Sequence, residues 1–279
     1  MDETGSRRQR FAEAARAERP DLALLCLLVA AEADPALTDA RIERALIEID
    51  ALAALLPRSA FDNPSDWANA VGELLGDQCD FRGASSDYQR LESSLLHHVL
   101  RRRRGLPILL SVVWIEVARR AGAPVYGVAL PGHFIVGFGD PARPGGHVLA
   151  DPFNGGRRLA SDDAALLVAG ATGAPMSAGI LTPARPLQIM LRILNNIRAW
   201  AAARPERTDV QLWAVELALL LPSHPARLRY ERAQLLVQRG DYVTGAAELE
   251  AYAEVAAVMD PRVGESIRYQ ARAARAMLN

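Results

Sequence analysis

Pro131-Gly132-His133-Phe134 and, further along, Asp151-Pro152-Phe153-Asn154-Gly155-Gly156 are the segments on which the reading of this chain turns. Residues 124–129, 133–138 and 147–150 are β-branched or alternating, and Pro131-Gly132, Gly139-Asp140 and Pro144-Gly145-Gly146 divide them as turns. Three short strands so divided predict an antiparallel sheet. His133 opens the second strand and Asp151 closes the third, so the two side chains are expected at one sheet edge. There a carboxylate that accepts an imidazole N–H fixes the tautomer and orientation of the ring. Such a pair is two thirds of a catalytic triad. Asp151-Pro152 also reads more simply as a turn initiator after a strand.

The segment just before the sheet is a helix over 108–120, apolar on nearly every side and stopped at Gly122. A helix that apolar belongs at the centre of a core. Pro107 falls in its first turn, where the missing N–H is not needed. Upstream, residues 7–100 read as helical throughout, with apolar residues at threes and fours over 11–17, 22–33, 41–56 and 67–75 and a further helix over 88–103. Pro20, Pro35, Pro57 and Pro64 punctuate them, and Ser65 is the expected N-cap of the fourth. Downstream of Gly156 the chain returns to amphipathic helices at 164–168, 187–203, 209–221, 226–239, 243–257 and 263–277. The Gly/Ala/Pro-rich stretch 169–186 is the expected linker, and residues 1–80, 81–168 and 187–279 the expected domains. The fold class is α+β, predominantly helical, with a central helix against a small antiparallel sheet.

Composition excludes several functions. Lys plus Arg (32) balances Asp plus Glu (33), so no bulk field draws nucleic acid or an anionic membrane, and neither is expected as a partner. The apolar run 22–31 is about half what a bilayer requires. The charged residues 1–10 lack the apolar core of a signal peptide. The two cysteines, Cys26 and Cys79, make neither a disulfide framework nor a metal pattern, which fits a reduced cytoplasmic protein. No phosphate loop, dinucleotide fingerprint or zinc motif is present, so no cofactor and no metal are expected.

The last ninety or so residues form helix pairs joined by short turns. Residues 225–249, with small Ala233, the Gly240-Asp241-Tyr242 turn and the Ala246-Ala247 packing pair, resemble one tetratricopeptide unit. The run 81–156 resembles the transglutaminase-like core, most closely the bacterial "Sir B-one" branch, in which that core precedes tetratricopeptide-like helices. Phe81-Arg82-Gly83, Tyr88, Ser93-Ser94-Leu95, residues 102–108, Leu110-Ser111-Val112 and residues 117–122 carry the likeness with the two segments quoted first. The resemblance implies a papain-like cradle, in which a central helix points its N-terminus at a sheet bearing His133 and Asp151. In catalytic members a cysteine stands at that helix start, where the dipole and the imidazolium favour a thiolate. Counting back about four turns from Gly122 puts that position near Pro107 or Ile108, and neither is a nucleophile.

Ser111, about one turn into the helix, is the remaining candidate, although a hydroxyl there ordinarily bonds back to its own helix. Cys79 lies outside that helix between acidic neighbours that oppose thiolate formation. Arg101–Arg104 complement a helix C-terminus, with one or two turned inward to carboxylates or to an anion site. His97-His98 are adjacent and are expected to point to different sides. Trp114, Trp200 and Trp213 read as packing, and Asn195-Asn196 as buried amides linking C-terminal helices to the core. Three functional readings stand. The chain is a non-catalytic transglutaminase-like regulator or scaffold binding a protein or peptide; or a hydrolase or acyl transferase using Ser111 or water with His133 and Asp151; or a helical adaptor whose His–Asp pair only braces the sheet. The oligomeric state is not set by the sequence.

Overall fold

A computed structural model of the chain describes residues 3–57, 61, 63–143, 145–177 and 179–278. Pro144 of the expected turn, Ala178 of the expected linker and the first two residues lie outside them. The described chain divides into two compact units, residues 1–193 and 194–279.

The first unit opens with helices α1 (Glu3–Arg16), α2 (Leu22–Ala33), α3 (Asp39–Ala54) and α4 (Pro64–Gly72). Asp21 caps α2 through its carboxylate and the Leu24 N–H at 3.0 Å. The N-cap of α4 is Asn63 rather than Ser65. Its Oδ1 accepts the Asp66 N–H at 2.9 Å and Pro64 takes the first helical position, where a proline costs least. After Gly72 the helix widens into a π-turn, Glu73–Gln78. The expected helix over 88–103 is shorter. Residues Ser85–Gln89 and Leu91–Ser94 form 3₁₀ turns, and only Leu96–Arg102 (α5) is α-helical. The cause is Asp87, whose buried carboxylate accepts from the Ala84 N–H and the Ser93 hydroxyl, both at 2.9 Å. Those bonds hold the chain in tight turns that a regular helix would break.

Helix α6 (Pro107–Arg120) is the centre of the unit, and every residue from Pro107 to Ala118 is buried. Gly122, at φ +93°, ends it. Strands β1 (Val125–Leu130), β2 (His133–Gly139), β3 (His147–Asp151), β4 (Arg157–Leu159) and β5 (Pro183–Ala184) form one antiparallel sheet in the order β4-β3-β2-β1-β5. One sheet face packs on α6. The other packs Val128, Leu130, Ile135 and Leu149 against Ala164 and Val168 of α7 (Ser161–Thr172). The two edge strands, β4 and β5, went unread in the sequence because each is three residues or fewer. β5 sits inside the stretch expected to be linker.

The unit boundary falls within α8 (Pro186–Ala202). In the second unit α9 (Thr208–Leu220), α10 (Arg227–Gln238), α11 (Tyr242–Met259) and α12 (Pro261–Ala276) pack as successive antiparallel neighbours. Gly240, at φ +87°, closes α10, and Asp241 caps α11 through the Thr244 N–H at 3.1 Å. The close approach of α10 and α11 uses Gly245 and buried Ala246 rather than the expected Ala246-Ala247, because Ala247 faces outward. A Cβ at Gly245 would stand 3.0 Å from the Ala233 carbonyl. Ala233, Leu249, Ala253, Ile267 and Ala271 make the core of this unit.

One contact in the first unit is tighter than any of these. The Gly155-Gly156 backbone lies directly on Gly72 and Gly76, and a Cβ on Gly76 would come within 1.9 Å of the Gly155 carbonyl oxygen. Because backbone meets backbone, nothing flexible can give way. Gly76→Ala is therefore expected to cost about 1–3 kcal/mol in urea unfolding. Gly170→Ala, at an open position of α7, is expected to be neutral or to stabilise by up to about 1 kcal/mol. Equal effects of the two would contradict the glycine contact.

Candidate functional site

The site starts from a self-capping turn. Asp151 ends β3, and Pro152–Asn154 forms a 3₁₀ turn that the Asp151 carboxylate caps. Its Oδ1 accepts the Phe153 N–H at 3.0 Å and its Oδ2 accepts the Asn154 side-chain amide at 2.7 Å. This turn leaves Oδ1 aimed at His133, the first residue of β2, whose Nε2 lies 2.9 Å away. With the carboxylate ionised, Nε2 is the donor of this bond. Asp151 is 1% exposed as a side chain and His133 12%, so the ring alone of the pair meets solvent. Burial pushes the Asp151 carboxyl up, but the His133 contact, the Asn154 amide and the Phe153 N–H together hold it below its ordinary value.

Phe153 packs against the ring, and Tyr88 and Arg192 adjoin it through Phe153 and the His133 backbone. Phe153 presents its edge to His133 at 5.9 Å between centroids and to Tyr88 at 6.1 Å. It closes on Gly83, where a Cβ would meet the ring at 1.9 Å, and the Gly83 N–H donates to the Phe153 carbonyl at 2.9 Å. Tyr88 is half exposed at the rim, and burial with the nearby Asp151 charge raises its hydroxyl above the ordinary value. Arg192 of α8 reaches across to donate to the His133 carbonyl at 2.7 Å and to the Leu130 carbonyl. Its guanidinium lies 5.6 Å from the Phe134 ring centroid, and burial lowers its pKa. Sequence reasoning missed Arg192, which is one arginine on an amphipathic helix sixty residues away. Its only signal is charge on a mostly apolar helix.

Among the described residues, the sequence candidates for a third member of a triad are engaged elsewhere. Pro107 and Ile108 stand buried at the start of α6. Ser111 is fully buried, and its hydroxyl donates to the Phe134 carbonyl of β2 at 3.2 Å. That bond ties α6 to the sheet, rather than back to its own helix as its position in the sequence suggests. No hydrogen bond joins Ser111 to His133 among the described residues. Cys26 is buried in α2, where burial, with Glu116 and Asp21 nearby, pushes its thiol well above the ordinary range. Cys79 follows the π-turn, outside the site.

The arginine run is consumed by partners. Arg102 pairs with buried Asp87 at 3.1 Å, Arg103 with Glu48 at 3.1 Å and Arg104 with Asp80 at 2.8 Å. Arg103 also covers the Phe81 ring at 4.5 Å. Arg101 contacts His98 Nδ1 at 2.6 Å. The inward pairing was legible, and the anion site is not formed. His97 and His98 do not diverge as expected; their rings lie 4.0 Å apart. Burial, then the neighbouring His98, pushes His97 down to about 4. Asn195 is exposed and accepts from Arg198 of its own helix at 2.6 Å, so it is not a buried amide.

In the second unit α9, α10 and α11 enclose a groove of about 300 Å³ lined by Leu219, His224, Arg229, Arg232, Glu248 and Tyr252. Arg232 holds its rim by pairing with Glu216 at 3.0 Å and with Glu248. Among the described residues no helix is long and apolar enough to cross a membrane.

A buried helix abutting a His–Asp sheet edge, followed by stacked helix hairpins, defines a transglutaminase-like core with a repeat region. Comparison with known proteins gives the same answer: the transglutaminase-like superfamily model matches residues 43–195 and a tetratricopeptide repeat model matches residues 197–279. The chain belongs to the transglutaminase-like superfamily. Two proteins named UPF0162, from two strains of Xylella fastidiosa, are similar to it at 35% identity over 66% of both chains and at 33% over 71% of this chain and 72% of the relative. The first of these matches thus spans about two thirds of each chain. The F-box only protein 21 of mouse is 25% identical over 59% of this chain but only 26% of its own length. Among solved structures, one of menin with the binding site for the Mixed Lineage Leukemia protein covers 97% of this chain and 68% of its own at a TM-score of 0.45 and 14% identity.

Because the folded Asp151 carboxyl is held below its unfolded value, its ionised form contributes stability above the ordinary carboxylate range and loses it as pH falls through the lowered folded pKa. Asp151→Asn is expected to destabilise by about 1–3 kcal/mol at neutral pH. The gap from wild type should narrow in acid, as read by denaturant unfolding at a series of pH values. A gap independent of pH would contradict this.

Proposed function

We propose that this chain is a non-catalytic transglutaminase-like regulatory or scaffold protein of the cytoplasm that binds a protein or peptide partner. The observation that carries the reading is the mismatch at the site. His133 and Asp151 keep a triad-like geometry at 2.9 Å, while the helix start beside them offers buried Pro107 and Ile108, and the Ser111 hydroxyl is engaged by the Phe134 carbonyl. Without a side-chain nucleophile the pair has no covalent intermediate to form. What the pair retains is a partly open polar ring packed by Phe153 and adjoined by Tyr88 and Arg192, which suits recognition. The tetratricopeptide region supports a protein or peptide as the partner, since stacked helix hairpins present grooves rather than chemistry. The groove between α9, α10 and α11 mixes apolar and charged lining in the manner of such sites. The division into residues 1–80, 81–168 and 187–279 is proposed as the functional organisation.

The test compares wild type with His133→Ala. Capture of the partner by the immobilised chain should drop several-fold, while Tm moves by no more than about 4 °C, the equivalent of about 1 kcal/mol. Unchanged capture with a large loss of Tm would assign His133 and Asp151 to bracing the sheet and contradict the proposal.

A further inference from the structure

We propose that Asp34, His97 and His98 form a binding site for a divalent cation of the zinc class, joining the end of α2 to the start of α5. One ligand atom from each residue lies within 4.8 Å of the other two. The local structure explains why they converge. Asp34 is the C-cap of α2, and its Oδ1 accepts the Ala36 N–H at 3.0 Å. That bond turns Oδ2 towards His97, whose Nε2 lies 3.3 Å away. His97 and His98 occupy the first turn of α5, with their rings 4.0 Å apart and tilted by 39°.

The unusual feature is His97. Both of its ring nitrogens are shielded from water, and neither has an aligned hydrogen-bond partner; the 3.3 Å approach to Asp34 is close but misaligned. Buried polar atoms left in that state cost free energy, and a cation accepting the ring's one lone pair would relieve it at one of the two nitrogens. Tetrahedral zinc holds its donors at about 2.0–2.2 Å, which sets neighbouring donors roughly 3.4 Å apart. Donors lying within 4.8 Å of one another must draw closer to reach that spacing. Two imidazoles and one carboxylate suit zinc, cobalt or nickel, whereas calcium and magnesium ask for oxygen donors throughout. Three protein donors leave a fourth position for water.

Neighbouring positive charge opposes the site, Arg101 first and Arg102 after it. Arg101 lies 2.6 Å from His98 Nδ1 and places a positive charge beside it. Ligation through Nδ1 would displace that contact, and ligation through Nε2 would still meet its charge. Arg101 therefore sets the affinity lower than the three donors alone would.

The experiment titrates the full-length, untagged, chelator-treated chain with zinc by calorimetry and with cobalt by visible absorption. Wild type is expected to bind one equivalent, with a rise in Tm. His97→Gln, His98→Gln and Asp34→Asn should each weaken binding by about tenfold or more. Arg101→Gln should tighten it, and His224→Gln, in the other unit, should leave it unchanged. Absence of one-to-one binding in wild type, or equal binding by wild type and His97→Gln, would overturn the proposal. Should the histidine variants fail to fold, Arg101→Gln keeps all three donors, and unchanged or weaker binding by it would overturn the proposal too.

Discussion

The burial of α6 is the constraint from which the first unit follows. Twelve consecutive residues, Pro107 to Ala118, have no solvent-facing side. A helix apolar all round must be covered all round, which demands helices on one side and a sheet on the other. Helices α2, α3, α4 and α5 supply the first cover, and β1 and β2 the second. Glu116, the one charge inside that span, is met by Arg119 at 2.8 Å and by Arg120. The Ser111 hydroxyl finds its acceptor on β2 for the same reason, since no water reaches it.

Position of the site follows from a second constraint, the meeting of two glycine pairs. Gly72 and Gly76 stand one turn apart on the helix that widens after α4, and Gly155-Gly156 lie against them. Both loop glycines have positive φ, at +67° and +84°, so the loop can turn back only with these residues. The turn from Asp151 to Asn154 is thereby seated on the body of the unit. Its carboxylate is spent on its own backbone, on Asn154 and on His133. The same carboxylate that closes the turn therefore also fixes the direction of the ring.

Much of this was legible in the sequence, for reasons that can be named. The central helix showed itself through unbroken apolarity ended by Gly122, and the strands through a change of period at Pro124. His133 and Asp151 were placed together because a hairpin brings strand starts and strand ends to a common edge. The bounds of the central helix were legible because Pro107 and Gly122 bracket it. What was illegible depends on long-range partners. Arg192 reaches the His133 carbonyl from a helix far along the chain, and Asp87 breaks a regular helix only because Ser93 and Arg102 converge on it. The convergence of His97 and His98 likewise needs Asp34 from another helix, which no local spacing announces. Ser111 kept its place but not its partner, since which side of a wholly buried helix meets a strand carbonyl is decided by packing.

A non-catalytic role requires that no nucleophile lie within reach of His133. Intact-mass and peptide mapping after exposure of the folded protein to a serine-directed fluorophosphonate tests this most directly. That role predicts no adduct on Ser111, whose hydroxyl is buried and bonded to the Phe134 carbonyl. A stoichiometric adduct on Ser111 that disappears in His133→Ala would show a working base and nucleophile, and would contradict it.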